Sequence, residues 1–389
     1  MAYLIKEECD KRLTKVKELM KQQNLDIALV YYDEFNIGNG WYLTGWCPQF
    51  ESGAVLVSSH GNPMLLGGPE SEPFAHMDSA ITDTRNFPVF MVPDEEYPNA
   101  TVINFKQLFD ELNSKHCQVR RAGIVGVGRM PYGCYKQISE GFSGVTLVDI
   151  TEEYTKLRFA KSDWEIEQIR AAFALADKSY AAMKSIIVPG VTEIEVAAEG
   201  EYIARKNGAS GFGFSAIVGS GKRANAVVPT ATNKKLQAGE MVMLGLAPKI
   251  NGYAGVFGDT IPVSGSLTAS QKELLKHLGE VYNLTKQQLV PGKTGREIDA
   301  PGRDYYKKHG LMKYLVCPFA HTIGLQEAEA PFWGPNSDDV LKPGMAVCVD
   351  VSFFGHPEWY GARIETGFEI AEKGAIPFVK TMDAYLSNL

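Results

Sequence analysis

Four side chains in the C-terminal half of this chain have the types and spacing to do chemistry: His321, Asp350, Glu365 and Asp259. Glu327 and Glu329 follow His321 closely in sequence, and Tyr253 precedes Asp259. An imidazole among several carboxylates is material for general acid–base work. One carboxylate orients the ring, another stays ionised to hold a cationic nitrogen, and the ring carries a proton. Asp350 stands inside the apolar run Ala346-Val-Cys-Val-Asp-Val351, where a buried carboxylate needs a partner. Plainer readings stay open for the others: a satisfied core histidine at His321, a turn cap at Asp259 after Gly258, a local ion pair between Glu365 and Arg363. His356, in Gly355-His-Pro-Glu, reads as part of an exposed hairpin turn, and Gly219-Ser-Gly lacks the spacing of a phosphate loop.

The elements that must position these residues come in two copies. Val188-Pro-Gly-Val-Thr-Glu-Ile-Glu195 is echoed by Val290-Pro-Gly-Lys-Thr-Gly-Arg-Glu297, and each opens a helix with a Thr-x-x-Glu capping box. Both helices are expected to end at a Lys-x-Gly step, Lys206-Asn-Gly and Lys308-His-Gly, where glycine takes the left-handed conformation. Leu236-Gln-Ala-Gly-Glu-Met-Val-Met-Leu244 matches Leu341-Lys-Pro-Gly-Met-Ala-Val-Cys-Val349, and residues 257–260 lie opposite 363–366. One copy of such a helix–helix–strand–hairpin unit cannot cover its own apolar faces, so the two must pack pseudo-symmetrically. Their strand ends then converge on a shared site. In that frame Asp259 and Glu365 fall within one residue of equivalent positions, and Asp350 sits opposite Gly245.

Before the repeat, helical spacing over residues 6–23 is followed by an apolar strand over 26–32 and by further β-runs near 54–57, 63–66 and 122–127. A capping box, Ser162-Asp-Trp-Glu165, opens a long helix over 163–187. The fold class is therefore α/β (α+β): a smaller N-terminal α/β domain over residues 1–155, then a C-terminal domain over 156–389 that carries the repeat. A net charge of −7 without any Lys/Arg run argues against a nucleic-acid partner. Cys9, Cys47, Cys117, Cys134, Cys317 and Cys348 lie far apart, as free thiols in a reducing compartment do. No stretch reaches the ~18 apolar residues of a membrane span, and no signal region opens the chain, so no membrane partner and a cytoplasmic location are expected.

The order of several segments resembles the creatinase/prolidase/aminopeptidase P superfamily, the peptidase M24 or pita-bread family, over nearly the whole chain. The segments are Arg158-Phe-Ala-Lys-Ser-Asp-Trp-Glu-Ile-Glu, Gly219-Ser-Gly-Lys-Arg-Ala-Asn, Asn251-Gly-Tyr, His321-Thr-Ile-Gly-Leu with Glu329-Ala-Pro331, Lys342-Pro-Gly-Met and Gly361-Ala-Arg-Ile-Glu365. The resemblance implies a pita-bread fold for the C-terminal domain, preceded by the extra domain of creatinase and the proline-specific peptidases. Peptidases of this family hold two metal ions through two Asp, one His and two Glu. Carried over, these positions are Gly245, Val256, His321, Asp350 and Glu365, so two donors are missing. Two family histidines fall on Val228 and Ala328, and one of creatinase's two Glu falls on Gly258.

What the resemblance implies is thus a metal-independent, creatinase-like hydrolase that cleaves a C–N bond in a small nitrogenous substrate, without a cofactor. His321, Glu365, Asp350 and Asp259 would be catalytic, and Phe50, Tyr253, Glu327 and Glu329 would bind substrate. One alternative is an Xaa-Pro dipeptidase or aminopeptidase P-type metallopeptidase with a single divalent ion on His321, Asp350 and Glu365. Another is a non-catalytic, ligand-binding pseudoenzyme. By analogy with creatinase the chain is expected to be a homodimer. Its loop over residues 46–52 would approach the partner's site, with Phe50 where the family places a substrate-contacting Phe.

Overall fold

Ile27-Ala-Leu-Val-Tyr-Tyr32 is a run of apolar, β-branched and aromatic residues without a polar face, and such a run suits a strand covered on both sides. In the computed structural model, which describes residues 4–114 and 118–389, it is a wholly buried strand near the middle of a sheet. Cys117 lies outside the described residues; Cys9, Cys134, Cys317 and Cys348 are free thiols. The chain divides into two units, Met1–Arg158 and Phe159–Leu389.

Among the described residues the first unit has six strands: β1 (Ile27–Tyr32), β2 (Gly53–Ser58), β3 (Met64–Gly67), β4 (Thr84–Asn86), β5 (Arg121–Val125) and β6 (Thr146–Asp149). They form one mixed sheet in the order β4-β3-β2-β1-β5-β6. Its helices are α1 (Lys6–Gln22), α2 (Ile37–Thr44), α3 (Glu72–Asp78), α4 (Phe105–Ser114), α5 (Tyr132–Gly141) and α6 (Thr151–Lys156). Ile27, Leu29, Leu56, Phe87, Phe105 and Ile124 are among the residues that build its core. The loop over 46–52 is tied down by Glu51, whose buried carboxylate accepts from the backbone N–H of Ser71 at 2.9 Å. Next to it Phe50 takes a left-handed φ of +64° and is 82% exposed.

The second unit begins with α7 (Asp163–Ser185), opened by the Ser162/Glu165 capping box. There follow α8 (Glu193–Lys206), β7 (Gly211–Phe212), β8 (Ile217–Ser220), β9 (Met241–Leu246), β10 (Pro248–Ile250), β11 (Tyr253–Ala254), β12 (Phe257–Pro262), α9 (Ala269–Lys286) and α10 (Gly295–Lys308). The unit is completed by β13 (Ala320–Thr322), β14 (Glu329–Phe332), β15 (Ala346–His356), β16 (Tyr360–Ala371), β17 (Gly374–Pro377) and α11 (Lys380–Leu386). The main sheet runs β14-β13-β15-β16-β12-β9-β8, with β17 beside β16, and β11-β10-β7 form a small second sheet.

The repeat is visible bond by bond. Thr192 N–H donates to Glu195 at 2.7 Å, and Thr294 N–H donates to Glu297 at 2.8 Å. Just before each helix, Gly190 N–H reaches Leu236 O at 2.9 Å and Gly292 N–H reaches Leu341 O at 2.8 Å. After each helix a glycine takes positive φ, Gly208 at +102° and Gly310 at +70°. Strand alternation then sorts the sheet into two faces. Val242, Leu244, Val347, Val349 and Ile364 join Leu175, Met183, Val196, Leu278 and Ile298 in the core under the helices. The intervening residues face the other way, and the chemistry lies there. Among the described residues no helix is long and apolar enough to cross a membrane.

Candidate active site

A single row of paired residues crosses four strands at the middle of the main sheet. Gly245 on β9 pairs with Gly258 on β12, Gly258 pairs with Glu365 on β16, and Glu365 pairs with Asp350 on β15. The two halves of this row are related by the repeat, yet both acids belong to the second copy. Beside Asp350 on the same strand, Cys348 pairs with His321 on β13. Along a strand, residues two apart share a face, so Cys348 and Asp350 stand on one side with Glu365 and His321.

His321 Nε2 lies 3.2 Å from a Glu365 carboxylate oxygen and 3.6 Å from Glu327. Its Nδ1 is 3.1 Å from the backbone oxygen of Thr322, which fixes Nδ1 as the N–H donor and turns Nε2 toward the acids. Arg363 Nε holds Asp350 at 3.1 Å, with both side chains buried. Burial alone would lower the His321 pKa, but Glu327, Glu365 and Asp350 outweigh it and push it up to about 10. Burial, followed by the charge of Glu365, pushes Glu327 up to about 8. Asp350 rises to about 6 through burial, against the pull of Arg363. Burial also acts to raise Glu365, yet the hydrogen bond and charge of His321, aided by Arg363, hold it below the ordinary carboxylate value. Three acids thus converge with one imidazole and one guanidinium, and each titration depends on its neighbours.

Of the sequence-predicted residues, the structure gathers His321, Glu365, Asp350 and Glu327. Asp259 is not with them. It is one residue beyond Gly258, on the opposite face of β12, and it accepts from Tyr180 of α7 at 2.6 Å within the helix layer. Tyr253 donates to Glu165 at 2.8 Å and meets the Trp164 ring edge-on, and so anchors the start of α7. Glu329 forms a buried ion pair with Lys161 at 3.0 Å. Phe50 belongs to the first unit. Sequence reasoning missed Cys348, which lies in a fully buried apolar run and reads as core; the signal that identifies it is its place two residues before Asp350.

The five donor positions of a two-ion site can be tested directly. Gly245 has no side chain; a Cβ there would sit in ordinary van der Waals contact with Ile217 at 3.4 Å, so what is missing is the donor and not the space. Ile217, Ala224, Met243 and Phe354 form an apolar cluster on this side. Val256 is buried and has no donor atom. A pair of ions does not fit. A ring nitrogen of His321, the sulfur of Cys348 and a Glu365 oxygen all lie within 4.8 Å of one another, a group that could hold one ion. Asp350, expected as a ligand, is engaged by Arg363 instead.

Comparison with known proteins gives this geometry its family. Residues 167–372 match Metallopeptidase family M24, and residues 12–160 match the Creatinase/Prolidase N-terminal domain. The Xaa-Pro dipeptidase of Pyrococcus furiosus is 31% identical over 75% of this chain and 84% of its own length. That of Pyrococcus horikoshii is 26% identical over 96% of this chain and 97% of its own. Among solved structures, the Xaa-Pro dipeptidase from Bacillus anthracis superposes with a TM-score of 0.80 at 25% identity, covering 96% of this chain and 98% of that one. The prolidase of Pyrococcus horikoshii superposes with a TM-score of 0.81, covering 95% and 98%. These relatives overturn the expectation of a metal-independent, creatinase-like hydrolase without a cofactor: the matched family is one of metallopeptidases, and the named relatives are dipeptidases. The donors absent at Gly245 and Val256 leave the group of His321, Cys348 and Glu365 in place. With more than half of its length matched, this chain belongs to metallopeptidase family M24, and so to the hydrolases, behind a creatinase/prolidase-type N-terminal domain.

Proposed function

We propose that the chain is an Xaa-Pro dipeptidase-type hydrolase that works with one divalent ion where its family uses a pair. The observation that carries this reading is the convergence of Glu365 and Glu327 on Nε2 of His321, at 3.2 and 3.6 Å, while Gly245 and Val256 offer no donor atom. Held by His321 and Glu365, such an ion would activate a water and polarise the scissile carbonyl. Thr322 O keeps the His321 ring in the orientation and tautomer that expose Nε2. Arg363 Nε holds the Asp350 carboxylate at 3.1 Å beside the group. Glu327, half-buried and nearest to solvent of the acids in this group, is placed to pass a proton to the departing nitrogen.

The test is hydrolysis of Xaa-Pro dipeptides by protein stripped with a chelator and titrated with Mn²⁺, Co²⁺ or Zn²⁺. The rate is expected to rise and saturate at one equivalent of ion. Undiminished hydrolysis after stripping would overturn the reading. A second reading, a non-catalytic ligand-binding protein, is favoured by Val228 and Ala328: both are exposed and neither offers the imidazole of the family pattern. It predicts that dipeptides bind by calorimetry without turnover at any ion concentration. We further propose a cytoplasmic homodimer. The free thiols support the location, and the exposed aromatics Phe50 and Phe74 support a covered surface on the first unit. Light scattering that finds a monomer would remove the dimer.

A further inference from the structure

Cys348 introduces a donor that a carboxylate-built metal pair does not contain. Its neighbours are already arranged for ligation. It pairs across the strands with His321, and the His321 nitrogen, the Cys348 sulfur and the Glu365 oxygen lie within 4.8 Å of one another. All three residues are buried, Cys348 completely. Donors around a tetrahedral ion, with bonds near 2.0–2.3 Å, stand about 3.5 Å apart, so side-chain rotation closes the gap. The Nδ1 contact of His321 with Thr322 O is the outer bond that a ligating histidine makes through its other nitrogen. Glu327, 3.6 Å from Nε2 and on the more open side, stands where a fourth ligand or a water would complete the set.

We propose that Cys348 is a metal ligand, and that His321, Glu365 and Cys348 form a mixed nitrogen, oxygen and sulfur site for one ion of Zn²⁺ type. The inference rests on the single-ion reading above and adds the identity of the donor and the class of ion. A set of one imidazole and several carboxylates suits hard ions such as Mn²⁺, whereas a thiolate in the set shifts preference to Zn²⁺ or Co²⁺ in tetrahedral geometry. Asp350 is kept out of the set by Arg363. The other thiol near this face, Cys317, contacts Ser352 Oγ at 3.4 Å and does not join the donor group.

The experiment titrates the stripped full-length protein with Co²⁺ and reads absorption. A thiolate on tetrahedral Co²⁺ gives a near-ultraviolet charge-transfer band that nitrogen and oxygen ligands do not. The band should saturate at one equivalent, vanish in Cys348→Ser and persist in Cys317→Ser. Zn²⁺ affinity should fall at least about tenfold in Cys348→Ser, while Mn²⁺ affinity changes little. Should Cys348→Ser fail to fold, X-ray absorption on the Zn²⁺-loaded wild type decides instead, with one sulfur expected near about 2.3 Å. One bound ion with only nitrogen and oxygen neighbours and no band overturns the role of Cys348 and leaves the single-ion reading standing. No bound ion, or two per chain, overturns both.

Discussion

Glu365 and His321 hold each other in place, Nε2 to carboxylate, and the neighbours of each decide what a substitution there does. Glu365→Gln keeps size and hydrogen-bonding capacity but removes the charge that His321 faces. Hydrolysis is expected to fall by roughly 10²-fold or more. The melting temperature should fall modestly, because a carboxylate that His321 and Arg363 hold charged is lost. Full activity, or an unfolded protein, would make Glu365 structural. Asp259 behaves in the opposite way. Asp259→Asn weakens its contact with Tyr180 and should cost about 1–3 kcal/mol by urea unfolding while sparing hydrolysis. The sequence grouped both residues as one site because the two copies of the repeat match to within a residue. In a strand that residue decides the face, since side chains alternate sides at every step. Glu329 and Tyr253 escaped in another way. Their partners, Lys161 and Glu165, are far off in sequence, and local motifs do not report such pairs.

At the scale of elements the repeat was legible, because it is written in local chemistry: capping boxes before α8 and α10, glycines after them, and matched Gly-x-x-Val steps into the strands. What the sequence could not display was lateral register. The row Gly245, Gly258, Glu365, Asp350 exists only once four strands are paired. One element carries its own prediction. Glu193, the first residue of α8, is buried and accepts from Ser220 N–H at 2.9 Å, Arg223 Nε at 2.8 Å and Thr232 Oγ1 at 2.8 Å. Burial acts to raise its pKa, but these donors outweigh it, and the carboxyl titrates below its ordinary value. A lowered folded pKa contributes stability that is present above the unfolded value, about 4.3, and is lost as pH falls through the folded one. Glu193→Gln should therefore cost about 1–3 kcal/mol at pH 7, with the gap from wild type narrowing in acid. Urea unfolding across pH checks this; a gap that does not change with pH would contradict it.

Across the whole molecule, the symmetry of the second unit and the asymmetry of its chemistry belong to one account. Both copies keep the strands, but the first has Gly245, Gly258 and an apolar lining from Ile217 and Met243 where the second keeps its acids. The sequence displayed those losses, and reading them as loss of all metal chemistry overlooked that the ligands divide between the copies. The division can be reversed. Gly245→Asp and Val256→Asp together should raise the bound ions from one per chain to two. The most direct test needs no variant: elemental analysis of the purified, ion-equilibrated wild-type protein, with dipeptide hydrolysis followed as the ion is removed and returned. The account predicts one divalent ion per chain, with activity lost on chelation and restored at one equivalent. Two ions per chain, or hydrolysis that persists with none, would contradict it.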